Sequence, residues 1–146
     1  MNFHFEITAD LLDDETIEFL KEVRIGLFQF EVGVQSTNDA TIIDIDRKTD
    51  FDKLKDRVLR VMSGQNIHMH LDLIAGLPKE DYNSFAQSFN DVMAMRPEQL
   101  QLGFLKVLKG SQIHIRQKEY GITYRDFAPY EVLSTKDMSY NDLRRL

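Results

Sequence analysis

Residues 28–35 of this chain read Phe-Gln-Phe-Glu-Val-Gly-Val-Gln, so apolar and polar side chains alternate with a period of two. That period indicates a β-strand with one apolar face and one polar face. The same alternation runs through residues 3–7, 66–74 and 99–105, and helical patterns lie between these segments. Strands that alternate with helices predict an α/β fold built on a parallel sheet.

The intervening segments carry apolar residues at steps of three and four, as amphipathic helices do. We expect these residues to face the core: Ile17, Leu20 and Val23; Phe51, Leu54, Val58 and Val61; Tyr82, Phe85, Phe89 and Val92. Right-handed crossovers would place the helices on one face of a sheet that curls toward a barrel. The predicted fold is therefore a partial TIM-like (β/α) barrel, with about four parallel strands and helices on its outer face.

The opposite faces of these strands are polar throughout. They carry His4, Glu6, Gln29, Glu31, Gln35, His68, His70, Asp72, Gln99 and Gln101. A purely structural barrel interior is filled by branched apolar side chains instead. The alternative, a sheet whose polar face simply meets water, is rare for parallel strands. We therefore interpret the polar face as the wall of a ligand cavity.

The composition excludes several classes of protein. The chain has 146 residues, about one domain, and no apolar run approaches the roughly 20 residues of a membrane span. Its net charge of -6 argues against a nucleic-acid partner. It has no cysteine, so it can form neither a disulfide, a thiolate zinc site nor a cysteine-ligated iron–sulfur cluster. We expect a cytoplasmic protein without membrane or nucleic-acid partners.

Two strand ends carry residues suited to binding a small molecule. Gln35, which offers a donor and an acceptor, closes the second strand, and Asp72 lies near the end of the third. Ligands gather at the carboxyl ends of parallel strands. Arg47 follows Gln35 by twelve residues, across one predicted helix, and its guanidinium group is suited to a carboxylate.

Three segments resemble the radical S-adenosylmethionine (SAM) superfamily. They are residues 4–8 (His-Phe-Glu-Ile-Thr), 31–36 (Glu-Val-Gly-Val-Gln-Ser) and 72–78 (Asp-Leu-Ile-Ala-Gly-Leu-Pro). The resemblance covers about residues 2–110. Two branches of the superfamily are the most similar. One is the oxygen-independent coproporphyrinogen III oxidase-like branch, and the other is the cobalamin-binding branch that includes magnesium-protoporphyrin monomethyl ester cyclase.

The resemblance implies a SAM-binding role for Glu6, Gln35, Arg47 and Asp72. Arg47 would bind the methionyl carboxylate, Glu6 would approach the amino group or nearby polar atoms, and Gln35 and Asp72 would contact the methionyl or ribose portions. Of the other polar-face residues, we expect five to line the substrate pocket: His4, Glu31, His68, His70 and Gln101.

The chain departs from the family in one respect, because the family holds a [4Fe–4S] cluster through a CxxxCxxC motif and this chain has no cysteine. We therefore expect residues 1–129 to be the C-terminal half of a radical SAM barrel and residues 130–146 an extension or the start of a further domain. SAM, the cluster and, in the second branch, cobalamin would be cofactors of a full-length parent acting in tetrapyrrole-type metabolism. This chain alone would be inactive, contribute no catalytic residue and bind none of the cofactors tightly.

The missing N-terminal half of the same polypeptide is then the expected partner. Four strands taken from a larger barrel also leave open edges, which predicts self-association through them.

Two alternatives come from the residues themselves. One is a non-catalytic binding or scaffold half-barrel, favoured by the missing cluster motif. The other is a barrel hydrolase or lyase that uses Glu31 and Asp72 as an acid pair. His68 and His70 could offer two metal ligands, but no third ligand is compelling and we expect no metal site.

Overall fold

The computed structural model describes residues 1–146. In chain order its elements are β1 (Phe3–Ile7), a 3-10 turn (Ala9–Leu11), α1 (Asp14–Glu22), β2 (Phe28–Gln35), α2 (Asp39–Asp44), α3 (Phe51–Met62), β3 (His68–Ala75), α4 (Tyr82–Met93), β4 (Gln99–Phe104), α5 (Gln112–Arg116), β5 (Thr123–Tyr124), β6 (Val132–Ser134) and α6 (Tyr140–Arg145). None of the helices combines the length and the apolar character that a membrane span requires.

The principal sheet has four parallel strands in the order β1-β2-β3-β4. Helix starts follow the capping residues of the sequence: the side chains of Asp13, Asn38 and Asp50 accept backbone N–H groups in the first turns of α1, α2 and α3. The alternation of strands and helices is that of a partial TIM-like barrel, so the predicted fold class is confirmed.

The chain divides into two compact units, of which the first comprises Met1–Gln35, Thr49–Leu73 and Asn90–Gln101. Its core is formed by the apolar faces of β2 and β3 and of helices α1 and α3. Fully or nearly fully buried are Ile17, Leu20, Val32, Val34, Leu54, Val58, Met69, Leu71 and Leu73. Outside this core, Asp14 of α1 pairs with Arg57 and Arg60 of α3. The apolar side chains of these strands and helices therefore lie in the core, and the charged side chains lie outside it, as the sequence pattern predicts.

The second unit comprises Ser36–Lys48, Ile74–Phe89 and Leu102–Leu146. Its core is built around Ala75, Leu77, Phe85, Val107, Tyr120 and Met138. It contains a two-stranded antiparallel ribbon, β5 with β6, which the sequence pattern did not predict. The ribbon's strands have two and three residues, too few for a period of two to be visible.

Two expectations about apolar faces were wrong. Phe3 and Phe5 of β1 are 44% and 43% exposed, because β1 is an edge strand and no helix covers its apolar face. Their rings contact each other and the rings of Phe28 and Phe30 of β2. Phe89, expected in the core, is 40% exposed on α4.

Candidate functional site

Polar side chains form rows across β1, β2 and β3 on one face of the first unit. In register, the rows are His4, Gln29 and His68; Glu6, Glu31 and His70; and Gly33 with Asp72. Strands that pair in parallel register present matched residues on the same face, so these rows form one surface. Gly33 is the residue of β2 that lies in register with Asp72 of β3.

Direct contacts join the rows. His4 Nε2 lies 2.9 Å from Glu31 Oε2, and Gln29 Nε2 lies 3.2 Å from His70 Nε2. The ring centroids of His68 and His70 are 4.7 Å apart. Imidazole, amide and carboxyl groups of the polar face are therefore in direct contact with one another.

Asp72 is the most strongly perturbed group of this face. Burial, then a hydrogen bond to Glu31 and the negative charges of Glu31 and Glu6, raise the pKa of Asp72 to about 7, against a smaller opposing effect of His4. Its Oδ1 atom is buried and accepts no hydrogen bond from the protein. A carboxyl group that is buried beside other carboxyl groups keeps its proton to a higher pH, so Asp72 changes its charge near neutral pH. Asp72 is therefore poised to accept hydrogen bonds or a positive charge from a ligand.

His70 is shifted in the direction that leaves it neutral. Burial, then the neighbouring imidazole of His68, lowers the pKa of His70, and the attraction of Glu31 only partly opposes them. The amide nitrogen of Gln29 can only donate, so Nε2 of His70 accepts and its proton lies on Nδ1. The middle of the polar face thus carries neutral donors and acceptors beside the carboxyl groups.

Gln35 ends β2 in an unusual conformation. Its φ of 69° lies in the left-handed region, and the pairing with β3 shifts between Gly33 and Gln35. A residue other than glycine reaches this region at a cost that surrounding structure must offset, and such residues are frequent at binding sites. The strand end is therefore a specialised turn at the carboxyl edge of the sheet.

The other predicted residues are placed as follows. His4, Glu6 and His68 are exposed on the polar face, and Gln101 is exposed on β4. Arg47 belongs to the second unit, where it follows α2 and donates its backbone N–H to the Ile42 carbonyl at 3.0 Å. The structure therefore brings Glu6, Glu31 and Asp72 together with His4, and the SAM-binding roles of all four family-matched residues stay predictions. No group of three or more His, Asp or Glu side chains is placed to hold a metal ion.

The sequence pattern gave no indication of a buried polar network in the second unit. Glu80 is completely buried, and its Oε1 accepts hydrogen bonds from Ser36 Oγ at 2.5 Å and from Ser88 Oγ at 3.1 Å. Glu80 stands in the charged stretch Lys79-Glu80-Asp81, which is typical of an exposed loop. Because Glu80 precedes helix α4, no helical spacing relates it to Ser88, and no pattern in the sequence indicated this contact.

Comparisons with known proteins support the architecture. Residues 118–146 match a family described as a protein of unknown function (DUF4080), and no curated protein matches the chain. Among solved structures, coproporphyrinogen III oxidase (HemN) of Escherichia coli, a radical SAM enzyme, is 19% identical with a TM-score of 0.70. The match covers 99% of this chain and 30% of that chain.

Two further structures share the fold. TsrM of Kitasatospora setae, a radical SAM methyltransferase solved with cobalamin and a [4Fe–4S] cluster, is 12% identical with a TM-score of 0.69, over 89% of this chain and 27% of that chain. Elp3 of Methanocaldococcus infernus is 15% identical with a TM-score of 0.65, over 81% of this chain and 28% of that chain. This chain thus spans less than a third of each of these proteins, and it has the fold of one part of a radical SAM enzyme.

Proposed function

We propose that this chain forms part of the barrel of a radical SAM enzyme and that its polar face contributes to the pocket for SAM and substrate. The observation that carries the proposal is the cluster of Glu6, Glu31 and Asp72 on one face of adjacent parallel strands, with Gln35 at the carboxyl end of β2. The shared fold with two radical SAM enzymes supports it. Ligand sites in parallel α/β sheets lie at this end of the strands.

The chemistry of the polar face fits SAM. This molecule has a positively charged sulfonium, an ammonium group and ribose hydroxyls, all of which carboxyl groups bind well. Asp72 offers a buried oxygen with no protein partner. The four family-matched residues, including Arg47 for the carboxylate of SAM, remain part of this proposal.

An iron–sulfur cluster does not fit the residues of this chain. The sequence has no cysteine, so the chain offers no thiolate ligand for a cluster. Any cluster would be held by residues outside this sequence. We therefore expect the chain by itself to bind SAM weakly and not to cleave it.

The finer statements about the complete enzyme are also proposals. Action in tetrapyrrole-type metabolism is suggested by the shared fold with coproporphyrinogen III oxidase, and use of cobalamin by the shared fold with TsrM. A cytoplasmic location is the expected setting for such an enzyme. A fold alone does not fix a substrate, so the activity of a longer polypeptide has to be measured.

Titration of the isolated chain with SAM tests the proposal. In isotopically labelled protein, backbone amide signals of Gly33, Gln35 and Asp72 should shift saturably, with affinity in the millimolar range. Adenine alone should bind more weakly because it lacks the sulfonium and ribose. Saturable shifts confined to residues outside the polar face, or none at all, would contradict the proposed function.

The open edge of β1 gives a separate expectation about partners. One side of β1 pairs with β2, and its other side pairs with no strand of the principal sheet. Phe3 and Phe5 add exposed aromatic surface on the same strand. We propose that in a complete barrel a strand from the rest of the polypeptide covers this edge, and that a second copy covers it in the isolated chain.

Phe5→Lys should therefore shift the isolated chain toward monomer. A charge on an edge strand opposes strand pairing with another molecule. Sedimentation velocity over a range of concentrations would measure the effect, with Phe19→Lys as the matched control, because Phe19 is 62% exposed on helix α1. A wild-type chain that stays monomeric at every concentration would rule out self-association through β1.

A further inference from the structure

Glu80 is a fully buried carboxyl group with no cationic partner. Its Oε1 accepts from the hydroxyls of Ser36 and Ser88, while Oε2 is buried without a hydrogen-bond partner. Burial raises the pKa of Glu80, against the opposing effect of the two serine hydrogen bonds. Burying a carboxyl group lowers the free energy of unfolding unless its hydrogen bonds compensate, so the interactions of Glu80 indicate a structural or functional role.

The direction of the hydrogen bonds shows what Glu80 does. Because each serine donates its proton to Glu80, the oxygen lone pairs of both serines are free to accept. Ser36 Oγ accepts the backbone N–H of Asn38 at 2.9 Å, and Ser88 Oγ accepts that of Thr37 at 3.0 Å. These are the residues between the end of β2 and the start of α2. One carboxyl group thus orients two hydroxyls that fix this stretch of backbone.

Helix α2 depends on this anchor. It has only six residues, and so short a helix is not stable by its own hydrogen bonds. Its capping residue Asn38 donates to the Lys79 carbonyl at 3.1 Å and to Ser84 Oγ at 2.9 Å. Arg47 lies just beyond the helix, held by a backbone hydrogen bond to Ile42.

The opposite end of α2 is tied to the same loop. Lys79 Nζ lies 3.0 Å from Asp44, the last residue of the helix, and Arg116 lies 3.3 Å from it. Burial would raise the pKa of Asp44, but Lys79, Tyr120 and Arg116 together hold it below its usual value. The neighbouring residues Lys79 and Glu80 therefore secure both ends of α2.

We propose that Glu80 is a positioning residue, which through Ser36 and Ser88 holds helix α2 and so sets the place of Arg47 as a ligand of the SAM carboxylate. The inference rests on the proposed function for the role of Arg47. The anchoring itself rests only on contacts within the second unit.

Glu80→Leu and Glu80→Gln separate the two parts of this inference. Leucine removes the acceptor, so both hydroxyls lose their orientation and amide exchange at Thr37 and Asn38 should accelerate about tenfold. Glutamine keeps a carbonyl oxygen in place of Oε1, so exchange should stay close to wild type. Should Glu80→Leu fail to fold, Ser88→Ala removes the acceptor of Thr37 alone and gives the same readout.

Binding then tests the positioning role. SAM and methylthioadenosine, which lacks the amino-carboxylate part, are titrated into the full chain and its variants. Glu80→Leu should weaken SAM binding about tenfold, as Arg47→Ala should, and leave methylthioadenosine binding unchanged, while Glu80→Gln should keep the wild-type preference. Equal weakening of both ligands, or full SAM affinity in Glu80→Leu, would overturn the positioning role. If wild-type protein binds neither ligand, the proposed function fails and the role of Glu80 falls with it, whereas the exchange result still decides the anchoring.

Discussion

Asp72→Asn should lower the affinity of the chain for SAM about tenfold at pH values above 7, and leave its affinity for S-adenosylhomocysteine nearly unchanged. The two ligands differ in charge, because only SAM carries a sulfonium. Asparagine keeps the carbonyl oxygen that a ribose hydroxyl can use, but it removes the negative charge. The substitution therefore isolates the electrostatic part of binding.

The pH dependence of the wild-type chain gives an independent form of this prediction. Asp72 has a pKa of about 7 beside Glu31, Glu6 and His4, so it loses its proton as the pH rises through neutrality. SAM affinity should rise over the same interval, and the rise should be smaller in Asp72→Asn. Both can be measured by titration, with Asp126→Asn, an exposed carboxylate outside the polar face, as the control. A wild-type affinity independent of pH would contradict the role assigned to Asp72.

Asp72→Asn should also stabilise the chain at alkaline pH. The folded-state pKa of Asp72, about 7, lies above its ordinary value of 3.8, so between these values the folded chain holds a proton that the unfolded chain has released. The wild-type chain therefore has the full stabilising contribution of this proton below about pH 3.8, loses it progressively as the pH rises toward 7, and has lost it above that. Asparagine has no such loss. At about pH 8 the variant should be more stable by about 1–2 kcal/mol, after allowing for the partial solvent access of the carboxyl pair.

Urea unfolding of both proteins from about pH 5 to about pH 8 measures this difference. Glu80 and His70 also have shifted pKa values, but they titrate in both proteins and so cancel in the comparison. The advantage of the variant should grow as the pH rises from about 5 to about 7 and stay nearly constant above that, where Asp72 is ionised in both the folded and the unfolded chain. A difference that does not change across the range would contradict the raised pKa of Asp72.

The sequence pattern was sufficient for the main sheet because each strand obeys one simple rule. Period-two alternation in β2 and β3 places Val32 and Leu71 in the core and Glu31 and Asp72 on the polar face, as the structure confirms. Local capping residues such as Asp13 likewise fix where helices begin. The fold class follows from these local rules together with the handedness of crossovers.

Burial at edges and in networks could not be predicted in this way. Alternation gives the face of Phe5 but not whether anything covers it, because cover is supplied by distant parts of the chain. Glu80 lies in a charged stretch, and only the packing around Ser36 and Ser88 makes it buried. The positive φ of Gln35 is likewise set by its tertiary surroundings and not by its residue type.

The location of SAM in crystals of this chain tests the central claim most directly. We predict density for SAM on the polar face, with its ribose at hydrogen-bond distance from Asp72 and its sulfonium facing the carboxyl groups of Glu6 and Glu31. Density elsewhere, such as in the cleft lined by Arg125, Tyr140 and Arg144, with an unoccupied polar face, would contradict it.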